Sequence, residues 1–334
     1  MKDKKIKFKG KKLYQSELTK LQNLNRIPGC EKPRLLIEDG FITKLVIYDS
    51  EMDEFPKELF QFKALKTLIL SKVGLTHLPD NINELSSLIN LELTENKLET
   101  LPESIGEFSS LISIKLNKNS LKTLPESIGN LETLLSIEVE KNQLETLPES
   151  IGNLKSLRIL DLWDNPIKTL PDSIGNLTSL EKLSISEAPL SEIPESIGNL
   201  QNLKRLSIDN CNLNTLPESI GSIKPYYISL SFNQIENMEP FCNISNLNEL
   251  QLWNNKISII PDSIINMKVL LKLNLNDNNL QKVPKALKEL KRLQWLGITN
   301  NPIMKTEDEE VLDVLRDLAK RGCLSTYKEE WRYG

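Results

Sequence analysis

Residues able to carry acid–base or nucleophilic chemistry are few in this sequence. His77 is the only histidine, so any nucleophile that needs an imidazole base would depend on it, and the sequence nominates no such nucleophile. The cysteines lack the paired spacing of a metal site and stand at Cys30, Cys211, Cys242 and Cys323. No Gly-x-x-x-x-Gly-Lys-Ser/Thr segment is present to hold nucleotide phosphates. The sequence therefore predicts a protein that is not an enzyme and uses no cofactor or metal.

A recurring segment, Leu-x-Leu-x-x-Asn-x-Leu, must position any residue that binds a ligand. Its asparagine position recurs every 23 residues, with two steps of 22. This position holds, in order, Ser50, Val73, Asn96, Asn119, Asn142, Asn165, Ala188, Cys211, Asn233, Asn255, Asn278 and Asn301. Twelve such repeats predict an α/β solenoid, a right-handed horseshoe with a parallel concave sheet and short convex helical or 3₁₀ turns.

The asparagines of this position should turn inward and bond backbone groups of their own and the neighbouring repeat. This structural asparagine ladder comprises Asn96, Asn119, Asn142, Asn165, Asn233, Asn255, Asn278 and Asn301. After each ladder position, a Leu-Pro pair begins the convex segment, and a following glycine is expected to permit a tight bend. These glycines are Gly106, Gly129, Gly152, Gly175 and Gly198.

Three positions of each repeat should point out of the concave face: the residue between the two leucines and the two residues after the second leucine. Trp163 and Trp253 occupy the same one of these positions, and Trp295 immediately precedes the first leucine of its repeat. The residues predicted to bind a partner are Trp163, Trp253, Glu138, Glu140, Asp161, Asp164, Phe232 and Trp295.

Exposed tryptophan is costly unless it binds something, and tryptophan is enriched at the centres of protein interfaces. We therefore expect Trp163 and Trp253 to anchor a partner, whereas Trp295 fits local cover equally well. The four acids would select a basic partner surface, or they would form a solvated acidic strip. A carboxylate pair of the glycoside-hydrolase kind is a weaker interpretation, because no closed pocket is implied.

The charge distribution argues against nucleic acid as a ligand. The net charge is −4, and the first twelve residues contain seven lysines and one acid, so the remainder carries about −10 (−4 minus +6). A uniformly acidic body does not suit a nucleic-acid groove. The initial lysines are expected to form a solvated flexible tail, the alternative being contact with phosphate or anionic lipid.

The absence of targeting signals and of paired cysteines favours a reducing cytoplasm. No secretory signal precedes the repeats, and no apolar run approaches the ~20 residues of a membrane span. The domain organisation predicted from the repeats is an N-terminal cap over 1–40, twelve repeats over 41–303, and a C-terminal helical cap over 304–334. Both caps would cover an otherwise open apolar end.

Each cap has recognisable local signals. In the first, Ser16 is expected to begin a short helix, and the Asp-Gly pair at 39–40 favours a tight hairpin. In the second, Thr306 and Glu309 match a capping box, and Gly322 lies where a helix end favours positive φ.

The stretch from Ala188 to Asn255 departs most from the repeat, because Ala188 and Cys211 replace ladder asparagines and both 22-residue steps follow. We expect lower local stability and altered curvature there. The stretch could be a hinge, a partner's footprint or neutral drift.

From Leu68 to Asn301 the repeats, Leu-Pro-Glu-Ser-Ile-Gly-Asn-Leu followed by the ladder segment, resemble those of intracellular leucine-rich repeat proteins of the Ras-group type. One segment, 235–247, resembles the 22-residue repeat of phosphatase-regulatory leucine-rich proteins. The resemblance implies a non-catalytic scaffold, in some members for small GTPases or phosphatases. The Gly-Val-Tyr-Trp segment of the plant branch has no match between Met304 and Gly334.

We therefore expect a cytoplasmic protein-interaction scaffold that binds a protein partner, with a basic surface, on its concave face. One alternative is a regulatory subunit of a phosphatase or small-GTPase pathway. Another is a glycan-binding module that uses the tryptophans and amides. The sequence leaves the oligomeric state open.

Overall fold

The computed structural model describes residues 3–52 and 54–324, which divide between two compact units, Met1–Asn165 and Pro166–Gly334. Both units repeat one pattern, in which a short strand is followed by a 3₁₀ helix. The strands of the first unit are β1 (Lys5–Phe8), β2 (Lys11–Tyr14), β3 (Arg34–Glu38), β4 (Phe41–Tyr48), β5 (Thr67–Ser71), β6 (Asn90–Glu92), β7 (Ser113–Lys115), β8 (Ser136–Glu138) and β9 (Ile159–Asp161). Its 3₁₀ helices span Lys57–Gln61, Ile82–Glu84, Glu103–Glu107, Glu126–Asn130 and Glu149–Asn153.

The main sheet of the first unit follows the order of the chain from β3 to β9. β3 and β4 are antiparallel, and each later strand lies parallel to the one before it. The middle residues of the short strands pair directly, as Leu91 does with Leu68 and with Ile114, and all three are buried. Because alternate side chains of a strand face opposite ways, the residues beside these leucines face outward.

The second unit repeats this arrangement. Its strands are β10 (Lys182–Ser184), β11 (Arg205–Ser207), β12 (Tyr227–Ser229), β13 (Glu249–Gln251), β14 (Lys272–Asn274) and β15 (Trp295–Gly297), all parallel. Its 3₁₀ helices span Asp172–Asn176, Glu195–Asn199, Glu218–Ser222, Glu239–Asn243, Asp262–Asn266, Lys285–Glu289 and Pro302–Lys305. The two 22-residue steps leave the sheet in register, since Leu206 pairs with Ile228 and Ile228 with Leu250. The irregularity predicted for this stretch therefore does not extend to the strand pairing.

The ladder asparagines bond the backbone of two repeats. Asn119 donates from Nδ2 to the carbonyls of Leu93 and Leu116, both at 2.9 Å, and its Oδ1 accepts from the Leu98 N–H at 3.0 Å. At the position where the ladder is broken, the Cys211 thiol contacts the Ile185 carbonyl at a longer distance of 3.6 Å. The break therefore substitutes a weak sulfur donor for an amide.

The glycines of the convex segments serve close packing, and the expectation that they permit a tight bend was wrong. Gly106 and Gly129 lie outside the left-handed region, where glycine has its special freedom. A Cβ at Gly106 would lie 2.1 Å from the carbonyl oxygen of Ser127 in the next repeat, and one at Gly129 would lie 2.4 Å from that of Ser150. These glycines are thus needed because consecutive 3₁₀ helices touch there.

The lysines from Lys5 to Lys12 lie in a hairpin, so the expectation of a flexible tail was wrong for residues 5–14. β1 and β2 pair antiparallel around a turn at Lys9 and Gly10, both with positive φ. The helix α1 (Gln15–Leu24) follows, and Ser16 is inside it rather than at its N-cap, with its hydroxyl donating to Asp3. Asp39 and Gly40 form the tight turn between β3 and β4, both with positive φ.

The C-terminal helix α2 (Glu309–Lys320) is capped differently from the prediction. Asp308 is the N-cap and accepts from the Glu310 N–H at 2.9 Å, while Thr306 accepts from the Asp308 N–H and Glu309 takes no part. Asp308 outcompetes Thr306 because its carboxylate also interacts favourably with the helix N-terminus. Gly322 has φ 73°, as expected. The remainder of the predicted cap, 325–334, lies outside the described residues, and among the described helices none is long and apolar enough to cross a membrane.

Candidate binding surface

The residue just before each ladder position has a left-handed backbone, a feature that the repeat pattern did not predict. These residues are Asp49, Lys72, Glu95, Lys118, Lys141, Asp164, Glu187, Asn210, Phe232, Asn254, Asp277 and Asn300, with φ between 51° and 59°. The conformation lifts the chain out of the sheet where the asparagine turns inward. We use "exposed sheet face" for the outward residues four, two and one positions before the ladder position.

In the first unit, several charges of the exposed sheet face are paired between neighbouring repeats. Glu95 accepts from the Lys118 ammonium at 2.7 Å, and Glu138 lies 3.0 Å from the Lys115 ammonium. The hydrogen bond from Lys118 lowers the pKa of Glu95, and the same bond raises the pKa of Lys118. Glu138, predicted to select a basic partner, is therefore already neutralised by its own chain.

The other predicted acids of this unit differ in exposure. Asp161 is only 5% exposed and accepts a hydrogen bond from the Trp163 backbone N–H at 3.4 Å, so the expectation that it faces a partner was wrong. Folding back onto its own strand removes this carboxylate from the surface. Glu140 is half-buried, and Asp164 is exposed. The Trp163 ring is half-buried and has the Lys141 ammonium 4.7 Å from its centroid, a cation–π contact that occupies one side of it.

In the second unit, two aromatic rings form an exposed corner. Phe232 and Trp253 have ring centroids 4.5 Å apart and planes inclined at 62°, and they are 38% and 40% exposed. The indole Nε1–H of Trp253 donates to Asp277 at 2.6 Å, and the Asn300 amide donates to the same carboxylate at 2.9 Å. These bonds hold the indole in place while 40% of the residue stays exposed. We call the Phe232–Trp253 pair the aromatic corner.

Phe232 occupies a position that disfavours its side chain. It has φ 57°, and a bulky residue in the left-handed region is an outlier, whereas asparagine and aspartate adopt it readily. The equivalent residues in this unit include Asn210, Asn254 and Asn300. The phenylalanine is thus not explained by the local backbone.

Trp295 contributes cover rather than an exposed ring. It is half-buried, and a Cβ added to Gly297 would lie 2.5 Å from its ring atom Cη2 and 2.8 Å from Asn276 Oδ1. The ring therefore lies over Gly297, on the same face and beside Asn276. Of the two interpretations of Trp295, this geometry favours local cover.

A cluster of polar side chains around Asp209, which we call the basin, lies beside the aromatic corner. Asp209 accepts from the Ser229 hydroxyl at 2.6 Å and from the Ser231 N–H at 2.7 Å, both on Oδ1, and its own N–H donates to Ser186 Oγ at 3.2 Å. All three serines are buried. Partial burial raises the pKa of the Asp209 carboxyl. Asp209 and Asp277 were absent from the predicted site, although aligning neighbouring repeats in columns would have placed both beside the aromatic residues.

The residues that could have suggested catalysis do not assemble a site. His77 is exposed and contacts only its neighbour Thr76, with Nδ1 and Oγ1 3.0 Å apart. All four cysteines are free and buried, and burial raises the pKa of Cys30 to about 12 and that of Cys211 and Cys242 to about 11. Among the described residues no three His, Cys, Asp or Glu side chains come together as a metal site would require.

Comparisons with known proteins agree with this geometry. A family model described as leucine-rich repeat region matches residues 112–190. Two further models, each described as leucine rich repeat, match residues 245–303 and 202–223. The chain is therefore built of leucine-rich repeats, and its fold is a leucine-rich repeat solenoid. A search of curated proteins found no significant match.

Several solved structures have the same fold. A leucine-rich repeat protein of Leptospira interrogans is 27% identical, with a TM-score of 0.57, and the alignment covers 95% of this chain and 100% of that one. The Arabidopsis thaliana receptor-kinase ectodomain GASSHO1/SCHENGEN3, solved with CASPARIAN STRIP INTEGRITY FACTOR 2, is 33% identical over 74% of this chain, with a TM-score of 0.65. The plant peptide hormone receptor RGFR1, solved with RGF2, is 26% identical over 80% of this chain, with a TM-score of 0.55. This chain spans only 31% and 52% of those two receptor chains.

Proposed function

We propose that this chain is a non-catalytic protein-interaction scaffold that binds a protein partner on the concave face expected from its sequence, the exposed sheet face. The observation that carries the proposal is the aromatic corner. Asp277, itself bonded by Asn300, holds the Trp253 indole at the surface, and Phe232 packs against that indole from a strained backbone position. The fold itself requires neither ring at these positions.

The energetics of the aromatic corner favour a binding role. Rings of this size bring a large apolar area to an interface at a small cost in side-chain entropy, and an indole already fixed by a hydrogen bond has less freedom to lose. Trp253 would therefore be the principal anchor, with Phe232 beside it. Trp163, whose ring is covered in part by Lys141, would be a weaker anchor.

The related structures support a role in recognition. Two of the similar chains are plant receptors solved together with a peptide hormone or an integrity factor, so this architecture can present a protein-binding surface. The pairing of Glu138 with Lys115 in the first unit shifts the candidate contact to the second unit. Four buried free thiols fit a reducing cytoplasm, which remains our proposed location.

The test is a comparison of baits in a lysate. Wild-type protein, the Phe232→Ala/Trp253→Ala double variant and the control Trp163→Ala would each be immobilised after circular dichroism has shown unchanged folding. We expect a protein retained by wild type and by the control but lost by the double variant. Identical retention by all three baits would contradict the proposal.

Two additional readouts separate the alternatives. If the retained protein is a phosphatase or a small GTPase whose activity changes when wild-type chain is added, the scaffold is a regulatory subunit. If oligosaccharides quench tryptophan fluorescence saturably and the double variant abolishes the quenching, the aromatic corner binds glycans instead, and the protein-scaffold proposal fails.

A further inference from the structure

Asp209 performs a structural task that a neutral side chain performs elsewhere in the chain. Its Oδ1 accepts the backbone N–H of Ser231, the residue two positions before the next ladder residue. Asn117 and Asn276 occupy the equivalent position in other repeats, and their Oδ1 atoms accept the N–H groups of Glu140 at 2.9 Å and Thr299 at 2.8 Å. An asparagine therefore suffices for this bond, and the fold does not require the negative charge of Asp209.

The charge of Asp209 is also poorly compensated. The hydrogen bonds from Ser229 and Ser231 both end on Oδ1, and within the part of the chain described here Oδ2 accepts no hydrogen bond. Glu187, the other acid close enough to influence it, adds repulsion, so it and burial both raise the pKa of Asp209. Of the two basic residues of its own repeat, Arg205 stacks on Tyr227, 4.3 Å from the ring centroid, and Lys204 pairs with Glu181 at 2.7 Å. A partly desolvated carboxylate without a cation is stabilised by any ligand that supplies one.

The basin and the aromatic corner adjoin one another along the exposed sheet face. Asp209, Ser231 and Trp253 occupy the same position in three consecutive repeats of the second unit. Neighbouring strands lie about 4.8 Å apart, so the first and third of these positions are separated by about 10 Å. The small buried Ser231 lies between them, and we use "trough" for this row of three residues, which has a carboxylate at one end and two rings at the other.

We propose that this trough binds a basic peptide segment of the partner, with an arginine or lysine side chain paired to Asp209 and an apolar side chain packed in the aromatic corner. The inference rests on the proposed function and specifies the partner. An extended peptide advances about 3.3 Å per residue and only every second side chain shares a face, so the two recognised side chains lie two or four residues apart. The basic group forms a charge-assisted hydrogen bond to Oδ2, the stronger class of such bonds.

The test uses the intact chain as bait for a phage-displayed library of random twelve-residue peptides. Selected peptides are expected to share an arginine or lysine two or four residues from an aromatic or large aliphatic residue. Synthetic copies should bind Asp209→Asn at least tenfold more weakly than wild type. Asp209→Ser should behave alike, because Ser186 accepts the equivalent bond in the preceding repeat. The control Asp262→Asn removes an exposed acid from a 3₁₀ helix of the same unit and should leave affinity unchanged.

The outcomes separate this inference from the proposed function. Peptides that lack a basic residue, bind Asp209→Asn as well as wild type and are lost with Trp253→Ala would overturn the inference and leave the aromatic corner as the anchor. Peptides that bind Trp253→Ala and Asp209→Asn unchanged would overturn both, as would a library that yields no binder. Equal melting temperatures of the variants and wild type would show that lost binding is not lost folding.

Discussion

The exposed sheet faces of the two units are built from the same three positions of the repeat, but they differ in how their charged groups are paired. In the first unit, Glu95 pairs with Lys118 and Glu138 with Lys115, so the charges satisfy one another across neighbouring repeats. In the second, no cation of the described residues pairs with Asp209, and two rings remain exposed. A surface that satisfies itself gains little from a partner, whereas uncompensated charge and exposed rings gain much. The difference favours the second unit as the region where we propose that the partner binds.

The largest effect expected from this contrast is on partner binding. Trp253→Ala should weaken the affinity for the partner by about 30-fold or more, since hot-spot residues contribute at least 2 kcal/mol. Trp163→Ala, in the first unit, should change it by less than about threefold, because Lys141 already covers part of that ring. Titration calorimetry with the retained partner measures both. Equal losses for the two variants would mean that both units bind.

Stability should depend most on the ladder, which both units share. Asn142 accepts from the Leu121 N–H at 3.0 Å and donates to the Leu116 carbonyl at 3.0 Å, so Asn142→Ala leaves buried backbone groups unpaired. We expect the free energy of unfolding to fall by about 1–3 kcal/mol. Urea denaturation measures it, with the exposed neighbour changed in Gln143→Ala as the control. Indistinguishable urea midpoints for Asn142→Ala and Gln143→Ala would show that the ladder asparagine does not stabilise the fold.

The leucine spacing predicted the strands and the ladder because both depend on contacts that recur identically in each repeat. What it did not predict depends on neighbours in other repeats or on competition between local groups. Asp161 has an outward position in the pattern yet is buried, and Glu138 is neutralised by a lysine 23 residues earlier. The partnership of Trp253 with Asp277 likewise joins adjacent repeats, so a single repeat read alone does not contain it.

Repairing the break in the ladder should stabilise the second unit. The Cys211 thiol is 3.6 Å from the Ile185 carbonyl, whereas the equivalent amide of Asn119 is 2.9 Å from its acceptor. Cys211→Asn should therefore raise the free energy of unfolding by about 1 kcal/mol, the net value of a buried hydrogen bond. Urea denaturation would detect it. If stability falls instead, the cost of fitting the larger asparagine side chain exceeds the gain from the hydrogen bond. Cys211→Ser, which introduces a smaller hydrogen-bond donor, tests this explanation.

Phe232 should be replaceable without loss of stability. Phe232→Asn introduces asparagine, the residue type that occupies the same left-handed position as Asn254 and Asn300. The substitution relieves backbone strain of about 1–2 kcal/mol and loses a ring contact worth about 0.5–1.5 kcal/mol. The free energy of unfolding should stay within about 1 kcal/mol of wild type, while partner affinity falls. A clear loss of stability with unchanged affinity would make Phe232 a packing residue.

The smallest expected effect is the contribution of a single carboxylate to stability, which has opposite signs for Glu95 in the first unit and Asp209 in the second. The hydrogen bond from Lys118 lowers the folded-state pKa of Glu95, so the folded state favours the ionised form. Glu95 therefore contributes stability above its unfolded-state pKa, and that contribution disappears as the pH falls through the folded-state pKa. Burial raises the folded-state pKa of Asp209, so its ionised form costs stability at neutral pH, and the cost disappears as the pH falls through that raised pKa.

Glu95→Gln should consequently be less stable than wild type at pH 7, and Asp209→Asn should be at least as stable as wild type. Both differences should shrink as the solution is acidified, and that of Asp209→Asn should begin to shrink at the higher pH because its folded-state pKa is raised. Denaturation of the three proteins between pH 7 and pH 3 measures this, since carboxylates common to all three cancel in the differences. If Asp209→Asn were less stable than wild type at pH 7, the charge of Asp209 would stabilise the fold itself. The argument that this charge awaits a basic ligand would then lose its physical basis.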